Sequence, residues 1–300
     1  MIKRFLNYVE IMTKITSTFA FLITIALLVY MRQPIKWDLT LLFFAAMFLF
    51  DLTTTAINNY IDTKNNHQTL QFERRTALII IYVLFLISAS LGLLLALNTD
   101  IVIFLVGGLC FLCGVFYTYG PVPISRQPLG EVLSGAFYGL LIPFIILYIN
   151  LPAGTFLSMN VNFQTISLDL QVIPIISLIL FGVAPFCTTA NIMLANNICD
   201  LEKDIAVKRH TLPYYIGKNA LYLFAALYYM TYLATIIMVI MEILSPICLI
   251  SLITIIPVQK NINAFFQEQN KATTFLMAIK NYIIIMGFNT LIIFISAFMA

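Results

Sequence analysis

Residues 39–66 read LTLLFFAAMFLFDLTTTAINNYIDTKNN, an apolar stretch that ends in the polar segment NNYIDTKNN. The apolar part is long enough to cross the hydrocarbon core of a bilayer, which takes about 20 residues of α-helix. Charged groups are costly in that core, so acidic side chains in such a helix usually face a cavity or a partner. The stretch therefore predicts a membrane-spanning helix that carries functional polar groups at one end.

A second stretch repeats this pattern farther along the chain. Residues 196–212 read NNICDLEKDIAVKRHTL, which also follows a long apolar run and opens with paired asparagines. In both segments an aspartate comes four residues after the first asparagine, and residues four apart on a helix are offset by only about 40°. Two polar stripes are therefore predicted, one at Asn58, Asp62 and Asn66 and the other at Asn196, Asp200 and Asp204.

The composition of the whole chain agrees with a membrane protein. Of its 300 residues, 61% are hydrophobic and 10% are charged, and the mean hydropathy is +0.98. These values exclude an ordinary soluble domain and predict an all-α polytopic protein, a single domain over residues 1–300. We expect no signal peptide and no nucleic-acid partner. Nine spans are predicted, at residues 12–31, 39–59, 76–97, 100–119, 131–150, 172–196, 219–241, 244–259 and 280–299.

The distribution of basic residues predicts the orientation in the membrane. With nine spans, all of the sixteen Lys and Arg residues except Arg32 and Lys36 fall on the side that holds the amino terminus. Cytoplasmic loops are enriched in basic residues, so we expect the amino terminus in the cytoplasm and the carboxyl terminus outside. Both polar segments then lie at the cytoplasmic side of a cell membrane, and a site built from them would open toward the cytoplasm.

The oxygen-bearing side chains of the two stripes suit a hard divalent cation. Magnesium is usually held by one or two carboxylates together with substrate phosphates and water. Two such clusters facing one cavity would hold Mg²⁺ and, through it, a diphosphate, so the six stripe residues are the candidate metal ligands. The alternative is that both segments are solvated helix ends with ordinary caps. The match between two segments, in a chain with few acids, favours the cation site.

Two charged residues are expected deep in the membrane. Asp51 lies on the same predicted stripe as Asn58, about 16 Å deeper than Asp62 at 1.5 Å of rise per residue. One interpretation is a structural ion pair between Asp51 and Lys14 that ties two helices together. The other is a role for this pair at a substrate site, and the sequence leaves both interpretations open.

Basic and amide groups accompany the acidic ones. Arginine can hold two phosphate oxygens at once, and lysine supplies a point charge. The residues expected to contact a diphosphate lie in both segments and in the loop at residues 117–131: Asn58, Lys64, Arg126, Asn197, Lys208 and Arg209. The alternative is that the basic residues only follow the cytoplasmic charge bias, and it stays open for Arg74 and Arg75 as well.

Several strings resemble motifs of the UbiA-type intramembrane prenyltransferases, and the resemblance extends over essentially the whole chain. They are VEIMTKITS at 9–17, FDLTTTAINNYID at 50–62, GPVPISRQPLGE at 120–131, and NNICDLEKD at 196–204, which KRHTLP follows. The chain is most similar to the menaquinone-pathway branch, the 1,4-dihydroxy-2-naphthoate prenyltransferases of Gram-positive bacteria. The first motif of the superfamily commonly reads N-D-x-x-D-x-x-x-D, whereas Asn59 and Asn66 stand at two of its acidic positions here.

The resemblance implies a fold and an activity. The fold is a ring of nine helices around a central cavity, and the activity is Mg²⁺-dependent transfer of a polyprenyl group from polyprenyl diphosphate to an aromatic acceptor. With 1,4-dihydroxy-2-naphthoate as acceptor, the transfer proceeds with decarboxylation and gives demethylmenaquinone. The residues with implied catalytic roles are Asp62, Asp200, Asp204, Lys14 and Asp51. Lys14 would pair with the acceptor carboxylate or the diphosphate, and Asp51 would assist deprotonation of the acceptor.

Two other functions stay open at the level of the sequence. One is a prenyltransferase of the same superfamily with a different acceptor, such as 4-hydroxybenzoate. The other is a cation-coupled membrane transporter that uses the acidic stripes as an ion pathway. A transporter would place charges through the whole depth of the membrane, whereas Lys14 and Asp51 are the main deep charges expected here. The sequence therefore favours the transferase, and prenyl chain length and oligomeric state have no signature in it.

Overall fold

The computed structural model describes residues 1–65, 69–120, 123–162 and 164–299, and most of them are helical. Within this part of the chain, nine helical segments are long and apolar enough to cross a membrane. Their bounds are Ile11–Tyr30, Trp37–Thr63, Arg74–Leu97, Ile101–Thr118, Gly130–Asn150, Val172–Cys199, Asn219–Ile240, Pro246–Gln267 and Phe275–Ser296. The predicted number and order of spans are thus confirmed for the described residues, because a long apolar stretch satisfies its backbone in lipid only as a helix.

The elements in chain order are mainly α-helices. They are α1 (Ile2–Tyr8), α2 (Ile15–Tyr30), α3 (Trp37–Asn65), α4 (Arg74–Leu97), α5 (Ile101–Thr118), α6 (Gly130–Ala136), α7 (Ile142–Asn150), α8 (Val172–Cys199), α9 (Leu201–Ala206), α10 (Leu212–Ile216), α11 (Asn219–Ile240), α12 (Ile255–Gln267) and α13 (Phe275–Ser296). Segments of 3₁₀-helix cover Ile11–Lys14, Ile124–Arg126 and Pro246–Thr254, and a π-helical segment, Phe137–Leu141, joins α6 to α7.

Two features differ from the sequence predictions. The loop at 151–171 contains an antiparallel hairpin, β1 (Leu157–Val161) and β2 (Ile166–Leu170), so the all-α prediction is wrong there. Alternating polar and apolar residues in this loop suit a strand, and the predictions for the spans overlooked them. The eighth span reaches Gln267 instead of residue 259, because residues 255–267 continue as an amphipathic helix that buries Val258, Ile262 and Phe265.

The chain divides into two compact units. The first is Met1–Thr18 with Lys36–Gln127, and the second is Phe19–Ile35 with Pro128–Ala300. In the first unit α3 packs along α4, and the buried residues between them include Leu52 and Ala77. The Tyr8 hydroxyl donates to the carbonyl oxygen of Ala56 at 3.0 Å, which ties the amino-terminal segment to α3. Burial, and to a smaller extent the neighbouring Tyr60, raises the pKa of Tyr8, so the phenol stays protonated.

Helix α8 is the main packing partner in the second unit, where it contacts α6, α11 and α13. Its residues Leu194 and Ala195 pack with Phe224 and Tyr228 of α11, and all four are buried. Phe265 of α12 packs against Phe224, with ring centroids 4.6 Å apart. The carboxyl-terminal half of α8, which leads into the second polar segment, is therefore held by a continuous apolar core.

Two glycines allow α8 to approach the α6–α7 segment closely. A Cβ atom on Gly139 would lie 2.4 Å from the backbone nitrogen of Phe186, and one on Gly182 would lie 2.4 Å from the carbonyl oxygen of Gly139. Both distances are far below van der Waals contact, so a side chain at either position would push the helices apart. This close packing fixes α6, and with it Glu131, against α8.

Candidate functional site

The first polar segment lies on α3, as the sequence predicts. Asn58 and Asp62 both fall within this helix, and Asp62 is partly buried. The Thr118 hydroxyl of α5 donates to Asn58 Oδ1 at 3.2 Å. An amide oxygen has two lone pairs, so Asn58 keeps one that a cation could use. The predicted ligand Asn66 and the side chain of Lys64 lie outside the described residues.

Asn59 is a structural residue in this segment. Its Nδ2 donates to the carbonyl oxygen of Tyr8 at 2.9 Å and to Glu10 Oε1 at 3.1 Å. A carboxylate cannot donate, and it would face an acceptor and another carboxylate at this position. The asparagine that departs from the superfamily pattern thus holds the amino-terminal segment on α3, and an ionised acid at this position could make neither hydrogen bond.

Lys14 and Asp51 form a buried ion pair within the first unit. Lys14 Nζ lies 2.8 Å from Asp51 Oδ1, and the two residues are 3% and 8% exposed. The ammonium also donates to the carbonyl oxygen of Asp51 at 3.0 Å and to Thr55 Oγ1 at 2.5 Å. All three of its N–H groups are used by these acceptors. The pair ties the 3₁₀ segment Ile11–Lys14 to α3, and its role at a substrate site stays a prediction.

The second polar segment does not continue as one helix. Helix α8 ends at Cys199, Asp200 is its C-cap with φ −100° and ψ 5°, and α9 begins at Leu201. The backbone still turns tightly, since the amide of Asp204 donates to the carbonyl oxygen of Asp200 at 2.8 Å. Asn and Asp are weak helix formers, so a break is easily placed here. The predicted stripe is therefore interrupted at its middle residue.

Asp200 and Asn196 meet a lysine that the sequence predictions did not assign to the site. Lys271 Nζ donates to Asp200 Oδ2 at 2.5 Å and also to Asn196 Oδ1. Lys271 lies 71 residues beyond Asp200, between α12 and α13. One signal in the sequence could have identified it: Lys271 falls on the same predicted cytoplasmic side as the two polar segments. The structure thus brings two predicted metal ligands together around one positive charge.

Asp204 pairs with the basic residues that follow it. Arg209 Nη1 lies 3.7 Å from Asp204 Oδ1, and the amide of Arg209 donates to the carbonyl oxygen of Asp204 at 2.8 Å. Lys208, whose backbone has the left-handed φ of 56°, makes the turn and is exposed. The chain therefore folds back so that an arginine offsets the charge of a buried aspartate. Two residues predicted to bind diphosphate lie directly beside a predicted metal ligand.

Glu131 and Asn197 are joined in a buried contact. Asn197 Nδ2 donates to Glu131 Oε1 at 2.9 Å, and the two residues are 1% and 4% exposed. Glu131 Oε2 and Asn197 Oδ1 are also buried, and neither has a hydrogen-bond partner among the described residues. The sequence predicts Asn197 at the site but overlooks Glu131, although Glu131 ends the quoted loop motif. A buried acid on α6 thus faces the second polar segment.

The remaining predicted basic residues lie in the first unit. Arg126 is exposed at the end of the 3₁₀ segment Ile124–Arg126, where a solvated guanidinium can reach an anion. Arg74 donates to the carbonyl oxygen of Tyr60 at 3.2 Å and lies 5.3 Å from the centroid of the Tyr60 ring. Arg75 is exposed beside it. For Arg74 the contacts favour a structural role.

The oxygen atoms around Asn196 and Asp200 fit a divalent cation. An amide oxygen and a carboxylate oxygen both accept from the Lys271 ammonium, so the two oxygens already bind one positive charge. Within the described residues, no three His, Cys, Asp or Glu side chains gather closely enough to hold a metal by themselves. Amide oxygens, substrate phosphates and water would have to complete the shell, which is how magnesium is commonly bound.

Comparison with known proteins agrees with the resemblance of the motifs. The model of the UbiA prenyltransferase family matches residues 19–284. The curated protein 1,4-dihydroxy-2-naphthoate octaprenyltransferase of Bacillus subtilis (strain 168) is 28% identical over 215 residues. The match covers 66% of this chain and 62% of that protein, so the chain spans less than two thirds of the length of this relative.

Solved structures share the fold. A UbiA homologue from Aeropyrum pernix K1 is 16% identical, with 92% of this chain and 96% of that chain covered and a TM-score of 0.66. A UbiA homologue from Archaeoglobus fulgidus bound to GPP and Mg²⁺ is 14% identical, with 99% and 98% covered and a TM-score of 0.61. These similarities confirm the predicted helical architecture of this fold.

Proposed function

The chain belongs to the UbiA prenyltransferase family, and from this premise we propose that it transfers a polyprenyl group from polyprenyl diphosphate to an aromatic acceptor in a cell membrane. The acceptor we propose is 1,4-dihydroxy-2-naphthoate, which the name of the Bacillus subtilis relative supports. The observation that carries the proposal is the convergence of Asn196 and Asp200 oxygens on one positive charge. It occurs in the motif by which the chain resembles the family.

The proposed metal is Mg²⁺, and its proposed ligands are the predicted set. They are Asn58, Asp62, Asn66, Asn196, Asp200 and Asp204. The Archaeoglobus fulgidus homologue, which was solved with GPP and Mg²⁺, supports this choice. When bound, the ion supplies positive charge that offsets the charge developing on the diphosphate. Asn59 is left out of the set because its side chain holds the amino-terminal segment.

The proposed diphosphate contacts come from exposed basic groups. Lys208 and Arg126 are exposed, so their charged ends are accessible to a phosphate at the membrane surface. Arg209 lies beside Asp204, with 3.7 Å between Nη1 and Oδ1, and an arginine can hold two phosphate oxygens at once. These side chains would stabilise the departing diphosphate, and Lys64, Asn58 and Asn197 complete the proposed set.

The proposed reaction exchanges one bond for another. The C–O bond of the allylic diphosphate breaks, and its electron pair leaves with the diphosphate. The ring carbon that bears the carboxylate forms a C–C bond to the allylic carbon, and loss of carbon dioxide returns an electron pair to the ring. The product is the prenylated naphthalenediol, the reduced form of demethylmenaquinone. Exclusion of bulk water by the helices would protect the allylic cation until it meets the ring.

The experiment is an acceptor screen in membranes that carry the protein. Labelled polyprenyl diphosphate is offered with 1,4-dihydroxy-2-naphthoate or 4-hydroxybenzoate, and the carboxyl carbon of the naphthoate is labelled separately. We expect prenylation of the naphthoate with release of labelled carbon dioxide, and no product in membranes with Asp200→Asn. If only 4-hydroxybenzoate is prenylated, the proposed acceptor is wrong and 4-hydroxybenzoate takes its place. Cation flux into proteoliposomes, with no transfer to any acceptor, would favour the transporter.

A further inference from the structure

Lys271 holds the second polar segment, yet the proposed reaction makes no use of it. Its ammonium donates to Asp200 Oδ2 at 2.5 Å and to Asn196 Oδ1, and it lies 4.8 Å from the centroid of the Phe275 ring. A carboxylate, an amide oxygen and an aromatic face are three groups that attract cations. The lysine is therefore seated in surroundings that select positive charge.

The connection that carries Lys271 is organised by its own hydrogen bonds. The amide of Asn270 donates to Thr274 Oγ1 at 2.8 Å, and the Thr274 hydroxyl donates to the carbonyl oxygen of Glu268 at 2.8 Å. Asn270 Oδ1 accepts from the amide of Ala272 at 2.8 Å. These bonds fix the backbone on both sides of Lys271. Less conformational entropy is then lost when the lysine side chain reaches the polar segment.

We propose that Lys271 competes with a divalent cation for the oxygens of Asn196 and Asp200, and that it thereby sets the metal affinity of the site. This inference rests on the proposed function, which assigns both side chains to the metal. The Lys271 ammonium lies against the oxygens that a metal ion would use, and the two positive charges would repel each other at contact distance. Metal binding therefore requires the Lys271 ammonium to withdraw from Asp200.

The exposure of the pair makes this withdrawal easy. The Lys271 side chain is 39% exposed and that of Asp200 is 21% exposed, so the ammonium can turn into water when a metal ion arrives. Exposed ion pairs contribute little to stability. The competition should therefore change the metal affinity several-fold without preventing binding. Before a metal ion binds, the lysine keeps the Asn196 and Asp200 oxygens side by side.

The test is a Mg²⁺ titration of the purified full-length protein in detergent micelles, after EDTA treatment and without prenyl diphosphate. Binding is followed by isothermal titration calorimetry, and the unfolding midpoint is measured at each Mg²⁺ concentration. We expect Lys271→Met to lower the apparent Kd for Mg²⁺ about three- to tenfold. We also expect the unfolding midpoint of Lys271→Met in EDTA to lie below that of the wild type, and we expect Mg²⁺ to restore it. Lys271→Gln repeats the test with a polar side chain of similar length.

Lys280→Met is the matched control, because Lys280 is an exposed lysine in the first turns of α13. It should keep the wild-type Kd. An unchanged or raised Kd in both Lys271 variants, or an equal decrease in Lys280→Met, would overturn the inference. Asp200→Asn separates it from the proposed function. If Asp200→Asn binds Mg²⁺ like the wild type, the metal assignment is wrong; if it alone changes binding, only the competition is wrong.

Discussion

Replacing Lys14 with methionine should destabilise the protein strongly, and a second change at Asp51 should recover most of the loss. The Lys14 ammonium is buried and donates to Asp51 Oδ1 at 2.8 Å, to the Asp51 carbonyl oxygen at 3.0 Å and to Thr55 Oγ1 at 2.5 Å. Lys14→Met removes all three bonds at once. It also leaves the buried Asp51 carboxylate without the cation that offsets its charge.

The magnitude follows from the burial of the pair. Removing one partner of a buried ion pair costs about 3–5 kcal/mol, because the remaining charge stays out of water without compensation. We expect a loss of this size for Lys14→Met. The double change Lys14→Met with Asp51→Leu removes both charges of this pair, and such replacements are often neutral or stabilising. Its free energy of unfolding should therefore lie within about 1–2 kcal/mol of the wild type.

The assay is denaturant titration of the detergent-solubilised protein, followed by helical circular dichroism, with prenyl transfer measured on the same samples. Lys280→Met, a change at an exposed lysine, should alter the free energy of unfolding by less than about 0.5 kcal/mol. If the Lys14–Asp51 pair is only structural, the stable double variant should retain substantial prenyl transfer. If the pair acts on the acceptor, the double variant should retain none. A Lys14→Met protein as stable as the Lys280→Met control would refute the reasoning.

Four further changes test the site and the packing around it. Asp62→Asn and Asp200→Asn should each lower prenyl transfer at least about 100-fold in purified, folded enzyme with Mg²⁺, because each removes a carboxylate from the proposed metal site. Asn59→Asp should lower the free energy of unfolding by about 1–3 kcal/mol, because it replaces the partly buried amide donor with a carboxylate that faces two acceptors. Gly139→Ala should lower it by about 1–3 kcal/mol, because the new methyl group would overlap the backbone of Phe186. Both stability changes are read from denaturant titrations.

The two stability changes, Gly139→Ala and Asn59→Asp, each have a control in the same chain. Gly107→Ala, in α5, adds a methyl group where nothing lies within 4 Å, so it should be neutral or slightly stabilising. Asn219→Asp, at an exposed position at the start of α11, should also leave stability nearly unchanged. Full prenyl transfer by both Asp62→Asn and Asp200→Asn would show that these residues are not the metal ligands. Gly139→Ala or Asn59→Asp with wild-type stability would show that the close contact it tests is not needed.

The spans could be predicted from the sequence because their formation depends on local properties. A run such as residues 101–118 is apolar throughout, and its length alone determines that it crosses the membrane as a helix. The end of the eighth span could not be found in this way. Residues 260–267 contain lysine, asparagine and glutamine, and they stay helical because Ile262 and Phe265 pack into the core of the second unit.

The candidate site was predictable in its residue types and only partly in its contacts. The spacing of four identifies Asn196 and Asp200, since neighbouring positions on one helix are set by the helix itself. Lys271 and Glu131 reach the same segment from 71 and 66 residues away, measured to Asp200 and Asn197 respectively, so their roles depend on packing. Helix periodicity carries no information about such distant pairs.

The 3₁₀ start of the eighth span extends its reach. Its nine residues, Pro246–Thr254, rise about 2.0 Å each, and the thirteen residues of α12 rise about 1.5 Å each. Together they extend roughly 38 Å, whereas the same residues as a uniform α-helix would extend about 33 Å. This overwound segment supplies the added length of about three α-helical residues. The 3₁₀ segment and α12 together are thus long enough to cross the roughly 30 Å of hydrocarbon in a bilayer, and Lys271 lies in the turn that follows α12.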